Sequence, residues 1–116
     1  MRNLGLAMAV FTLTPMLTLA QNGGDAENGK RLYLRNGCYE CHGTVGQGAG
    51  ANPVAPKLAP QPIPLAQLIA YVRKPAGGMP PYTSKVISDA QLSDIRAYLA
   101  SIPEPPPVKD IPLLKP

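Results

Sequence analysis

Cys38, Cys41 and His42 stand together in Cys38-Tyr39-Glu40-Cys41-His42, and they are the only two cysteines and the only histidine of the chain. Two thiols separated by two residues and followed at once by an imidazole form the attachment signature for c-type haem. The thiols close thioether bonds to the porphyrin vinyl groups and the imidazole reaches the iron. The macrocycle sets this spacing, since both sulfurs must meet one edge of the ring while the next side chain stands over its face. The same five residues also read as a redox dithiol of the thioredoxin type followed by an incidental histidine. Confinement of every thiol and imidazole to one pentapeptide favours haem.

A sixth ligand follows by counting. Of four methionines, Met1, Met8 and Met16 fall in an N-terminal stretch that reads as a removable leader, which leaves Met79. One imidazole and one thioether are a recognised axial pair for such iron, and a second histidine does not exist. Met79 lies in Pro75-Ala76-Gly77-Gly78-Met79-Pro80-Pro81-Tyr82, where glycine and proline exclude regular structure. The alternatives are Met79 as an apolar gap filler, Lys57, Lys74 or Lys85 as ligand at the expense of a proton, or an open sixth position.

Residues 1–20 read as a signal peptide: Arg2 makes a positive start, Leu4 to Leu19 is mostly apolar, and Thr18-Leu19-Ala20 offers small residues for cleavage. The competing reading is an uncleaved anchor. Export to the periplasm suits a covalent haem, and in an oxidising compartment two free thiols would otherwise pair. Residues 21–116 then suffice for one domain without a membrane span. With one Phe, no Trp and a proline-rich end, its apolar surface is scant, and a bound haem would supply much of the missing core.

The formal charge is +4, spread over Lys30, Arg31, Arg35, Lys57, Arg73, Lys74 and Lys85 among others. Such scatter is a solvated surface or a rim for an acidic redox partner. No basic run and no aromatic platform point to nucleic acid.

The elements that must position these residues are helices. Asp25 caps a first helix over about residues 26–35, with Ala26, Gly29, Leu32 and Tyr33 on one face and Gly37 just beyond its end. Gly29 inside that helix suggests a close helix contact. Residues 43–64 carry too many glycines and prolines for an element and make a long loop. Leu65, Leu68, Ile69 and Val72 mark a second helix after Pro64, a residue suited to a helix start, and Pro75 ends it. Ser88-Asp89-Ala90-Gln91 is a capping box that opens a last helix through Leu92, Ile95, Tyr98, Leu99 and Ile102, stopped by Pro103. Residues 103–116 form a Pro-rich tail, extended over residues 104–107, which is either a loose end or a stiff arm for a partner. No strand pattern, internal repeat or second domain is present.

In order and spacing, Gly29 with Tyr33, Cys38 to His42, Met79-Pro80 and Ile95-Arg96-Ala97-Tyr98-Leu99 resemble a class I, monohaem c-type cytochrome, over about residues 25–102. The resemblance implies an all-α fold of three to four helices around one covalent haem c, with the first and last helices packed together beside it. Gly29 and Tyr33 would then meet Ile95 and Tyr98. Cys38 and Cys41 would hold the porphyrin, with His42 proximal and Met79 distal. Ala55-Pro56-Lys57-Leu58 resembles the segment in which a proline carbonyl accepts the imidazole N–H and a leucine packs on the ring, which assigns those parts to Pro56 and Leu58. Ala55 stands where the family usually has glycine. No tryptophan is available for a propionate, and Tyr71 or Tyr82 would take that place, or serve as a core residue with its hydroxyl satisfied.

The expected function is one-electron transfer between redox proteins, as a free carrier or as the cytochrome subunit of an exported dehydrogenase, with a dehydrogenase as donor and an oxidase or another cytochrome as acceptor, and with no substrate transformed. A haem enzyme or ligand sensor with an open distal site, and an exported dithiol oxidoreductase, are the two other readings.

Overall fold

The computed structural model describes residues 23–49 and 55–114, so the leader expected over residues 1–20 lies outside the described residues. Among them are four α-helices and no strand: α1 (Ala26–Arg35), α2 (Cys38–His42), α3 (Leu65–Arg73) and α4 (Asp89–Ser101). The all-α expectation holds. None of these helices is long and apolar enough to cross a membrane.

Capping residues set three of the helix ends. The Asp25 carboxylate accepts from the backbone N–H groups of Glu27 and Asn28 and opens α1. Gly37, with φ 74°, turns the chain out of α1 in the left-handed region that favours glycine. At α4 the Ser88 hydroxyl accepts from the Gln91 N–H, while the Gln91 side chain accepts in return from the Ser88 N–H at 2.9 Å. Pro64 stands before the first turn of α3, as expected of a helix that begins after it, with φ −52° and ψ 144°, and contributes its carbonyl to Leu68 N–H at 3.0 Å. Lys74, which precedes Pro75, ends α3 with φ −140° and ψ 71°, outside the helical region that a residue before proline avoids.

The core is built where α1 lies on α4. Leu32, Tyr33, Ile95, Tyr98 and Leu99 are buried there, joined by Val72 of α3 and by Leu92 and Ile87. Burial of each aliphatic side chain contributes about 2 kcal/mol. Gly29 makes the approach possible, since a Cβ there would fall inside the backbone carbonyl group of Asp94 and 2.9 Å from Ile95 N. Asp94 locks the contact with both carboxylate oxygens, one accepting from Asp25 N–H at 2.8 Å and the other from the Asn28 amide at 2.8 Å. Tyr33 and Tyr98 stack with ring centroids 5.6 Å apart and planes tilted by 56°.

The loop after α2 has no helix or strand among its described residues but is folded back on itself. Gly46 is its pivot: its carbonyl accepts from Leu58 N–H at 2.8 Å and Ala59 N–H at 3.1 Å. Its φ is 68°, and a Cβ would come within 2.7 Å of Leu99. Beyond α4 the tail makes two short 3₁₀ turns, Val108–Asp110 and Pro112–Leu114, which the sequence reading did not anticipate. Val108 and Leu113 stand exposed on it.

Alanine at position 29 gains at most about 1 kcal/mol of helix propensity over glycine. Overpacking costs about 1–3 kcal/mol, and here the obstacle is backbone, which cannot rotate away. Gly29→Ala should therefore lower the unfolding free energy by about 2 kcal/mol. A urea titration checks this, and an unchanged midpoint would mean that α1 and α4 separate without cost.

Candidate haem-attachment site

Cys38, Cys41 and His42 lie on α2, a single short turn of helix to which the sequence reading assigned no secondary structure. Residues three and four apart share a helix face, so the helical turn brings both thiols and the imidazole to one side. Cys38 is half-buried against the core, Cys41 is exposed, and both are free thiols. Among the described residues no three of His, Cys, Asp and Glu converge as ligands for a bare metal ion.

The imidazole is oriented from the loop. His42 Nδ1 lies 2.9 Å from the carbonyl oxygen of Pro56. A carbonyl only accepts, so in the neutral ring Nδ1 carries the proton and donates it, which leaves the Nε2 lone pair available to a metal. The residues suited to an apolar ring are close by: Leu58, Met79 and Tyr82 are half-buried and pack against the same core as Cys38. Lys57, Lys74 and Lys85 are exposed. Of two surface concavities, of about 420 and 240 Å³, the smaller borders Lys57 and Leu58, and neither is lined by Cys38, Cys41, His42 or Met79. By the chemistry of its donors this set fits a covalently attached haem: two thiols one turn apart, an imidazole with one nitrogen already engaged, and a thioether on an apolar rim.

Three tyrosines, two of them unassigned by the sequence reading beyond their packing, hold the α2 segment at both ends. Tyr82 donates to the Asn36 carbonyl at 2.9 Å, two residues before Cys38. Tyr33 donates to Gly43 O at 2.8 Å and Tyr98 to Thr44 O at 2.8 Å, the first two residues after His42. No local pattern announces these bonds, since Tyr98 and Tyr82 reach their partners from distant parts of the chain. Tyr82 thus has its hydroxyl satisfied inside the fold, while Tyr71 is exposed on α3.

Burial, with a smaller contribution from the neighbouring Cys38 and then Tyr98, pushes the Tyr33 hydroxyl well above its ordinary pKa of 10.0. Burial also pushes the Cys38 thiol up to about 11. That direction bears on chemistry. A thioredoxin-type dithiol needs its first cysteine acidified so that the thiolate attacks at neutral pH, and Cys38 is shifted the other way.

An all-helical domain with this thiol–imidazole turn is a small c-type cytochrome domain. The family model described as "Cytochrome C oxidase, cbb3-type, subunit III" matches residues 24–99, well over half of the chain, and the chain belongs to that family. No match is found among curated proteins or among solved structures.

Tyr33 yields a prediction with a definite sign. In the folded state it keeps its proton to higher pH than in the unfolded chain, so its contribution to stability is intact below pH 10.0 and lost as the pH rises through the folded value. Tyr33→Phe should cost about 1–2 kcal/mol at neutral pH, because the Gly43 carbonyl loses its donor. It should also lessen the fall in melting temperature above pH 10.0, and melts at neutral and alkaline pH would contradict this if both proteins declined alike.

Proposed function

We propose that this chain is an exported one-electron carrier in which Cys38 and Cys41 would hold a single haem c covalently and His42 and Met79 would supply the imidazole and thioether ligands to its iron. The observation that carries the reading is the His42 imidazole, placed on the same turn as both thiols with Nδ1 held by Pro56 O at 2.9 Å. Haem attached there supplies an iron that takes up and releases one electron. The chain does the rest by holding its own groups still. The Pro56 carbonyl fixes the ring orientation and raises the basicity of Nε2. Leu58 and the half-buried rim around it exclude water from one face, which lowers the local dielectric and disfavours the more highly charged ferric state. A thioether at Met79 acts in the same direction, so the potential is high for a c-type haem.

Residues 1–20 have the composition of a signal peptide, which supports a periplasmic location. The family's name is that of an oxidase subunit, which supports redox proteins as partners: a dehydrogenase on the donor side and an oxidase or another cytochrome on the acceptor side. The exposed lysines Lys57, Lys74 and Lys85 suit an acidic partner surface, with association that weakens as salt rises.

A haem stain that survives denaturing electrophoresis tests covalent attachment, and its absence would sink the reading. Met79→Ala should keep that stain while the potential falls and ferrous iron becomes open to carbon monoxide. A variant whose potential matches that of the parent would remove Met79 from the ligand set.

A further inference from the structure

Met79 sits in the loop between α3 and α4, and its two flanks are built differently. On the N-terminal side Gly77 and Gly78 are exposed, and a Cβ at either would meet nothing within 4 Å. Among the described residues no hydrogen bond is made to either glycine. On the C-terminal side Pro80 and Pro81 restrict the backbone, and the next residue, Tyr82, is tied down at three points. Its N–H donates to Val72 O at 3.0 Å, its hydroxyl donates to Asn36 O at 2.9 Å, and its carbonyl accepts from Arg73 Nη1 at 2.9 Å. Arg73 is itself held, with its other terminal nitrogen 2.5 Å from the Asp89 carboxylate. Its side chain is 22% exposed. One guanidinium in the last turn of α3 therefore grips both the far end of the methionine loop and the first residue of α4.

We infer that Arg73 is a positioning residue for the Met79 sulfur: by fixing the Tyr82 carbonyl it sets the anchored end of a stiff Pro80-Pro81 strut, and the strut sets where the thioether stands. The inference rests on Met79 as the axial ligand proposed above. Arginine suits this task because its planar fork aims two donors at fixed angles, one at a carbonyl and one at a carboxylate. Lysine offers a point charge and cannot hold both partners in that geometry. An ordinary surface ion pair contributes little to stability. If Arg73 were only that, its removal would change the melting temperature slightly and leave the iron untouched.

The test uses the full haem-loaded protein and reads the ferric absorption band at the red end of the spectrum that arises from sulfur-to-iron charge transfer, together with the reduction potential. Arg73→Leu keeps an apolar stem, adds no second thioether and deletes both hydrogen bonds. It should lose most of the band, lower the potential and let ferrous iron bind carbon monoxide, with covalent haem and helix content unchanged. Arg73→Lys should fall between the two. If Arg73→Leu does not accumulate as a haem protein, Arg73→Lys carries the same reading: a weakened band supports the brace and an undiminished one overturns it. A parent protein that shows the band, with an Arg73→Leu variant that keeps band and potential, overturns the brace alone. A parent without the band overturns the ligand reading and the brace with it.

Discussion

Backbone-to-backbone contact between α1 and α4 at Gly29 is the constraint on which the other arrangements rest. Bringing those two helices together buries Leu32, Ile95 and Leu99 and stacks Tyr33 on Tyr98. The stacked rings have their polar ends directed the same way, onto the carbonyls of Gly43 and Thr44. A side chain at position 29 would push the helices apart and move both hydroxyls away from the residues that follow His42. The helix contact and the geometry of the attachment turn are thus one problem, solved by one missing Cβ. Asp94 adds direction to this contact, because its two oxygens bind the start of α1 and so oppose sliding of one helix along the other.

The core formed in this way is small, with few large side chains fully buried: Tyr33, Ile87, Leu92 and Leu99. Around it runs a rim of half-buried apolar residues, among them Cys38, Leu58, Leu68, Met79 and Tyr82. Residues left part-way between core and surface in a domain of this size are what a large flat apolar cofactor would cover, and its burial would add to the hydrophobic term where the chain alone is short of it. The polar groups of the same region are already paired. His42, Tyr33, Tyr82 and Tyr98 each have a backbone carbonyl as partner, so a ring could settle there without stranding a hydrogen-bonding group.

Local chemistry made α1, α3 and α4 legible in the sequence. Asp25 before Ala26, Ser88 three residues before Gln91, and Pro75 and Pro103 after the helices act within a turn of the boundary they define. The pairing of Gly29 and Tyr33 with Ile95 and Tyr98 was legible through family likeness. The helical state of α2 was not. A run of five residues is too short to be stable by itself, and its conformation depends on Gly37 behind it and on tyrosine hydroxyls supplied from α1, from α4 and from the loop between α3 and α4. Nothing near Cys38 in sequence encodes those partners. The grip of Arg73 on Tyr82 was invisible for the same reason as α2: it joins a helix end to a loop, and no spacing rule links them.

The methionine loop has the mechanics of a cantilever. Tyr82 is the clamped root, Pro80 and Pro81 are the beam, Met79 is the tip, and the glycine pair beyond it is a slack tether. A force applied at the tip is carried back into α3 through Val72 and Arg73, and into the end of α1 through Asn36. Such a member returns to one resting position when it is deflected, whereas a loop pinned at both ends would have to buckle. Because the hard inner support also holds Asn36, two residues before Cys38, the position of the tip and the seating of the turn that carries Cys38, Cys41 and His42 are mechanically one system.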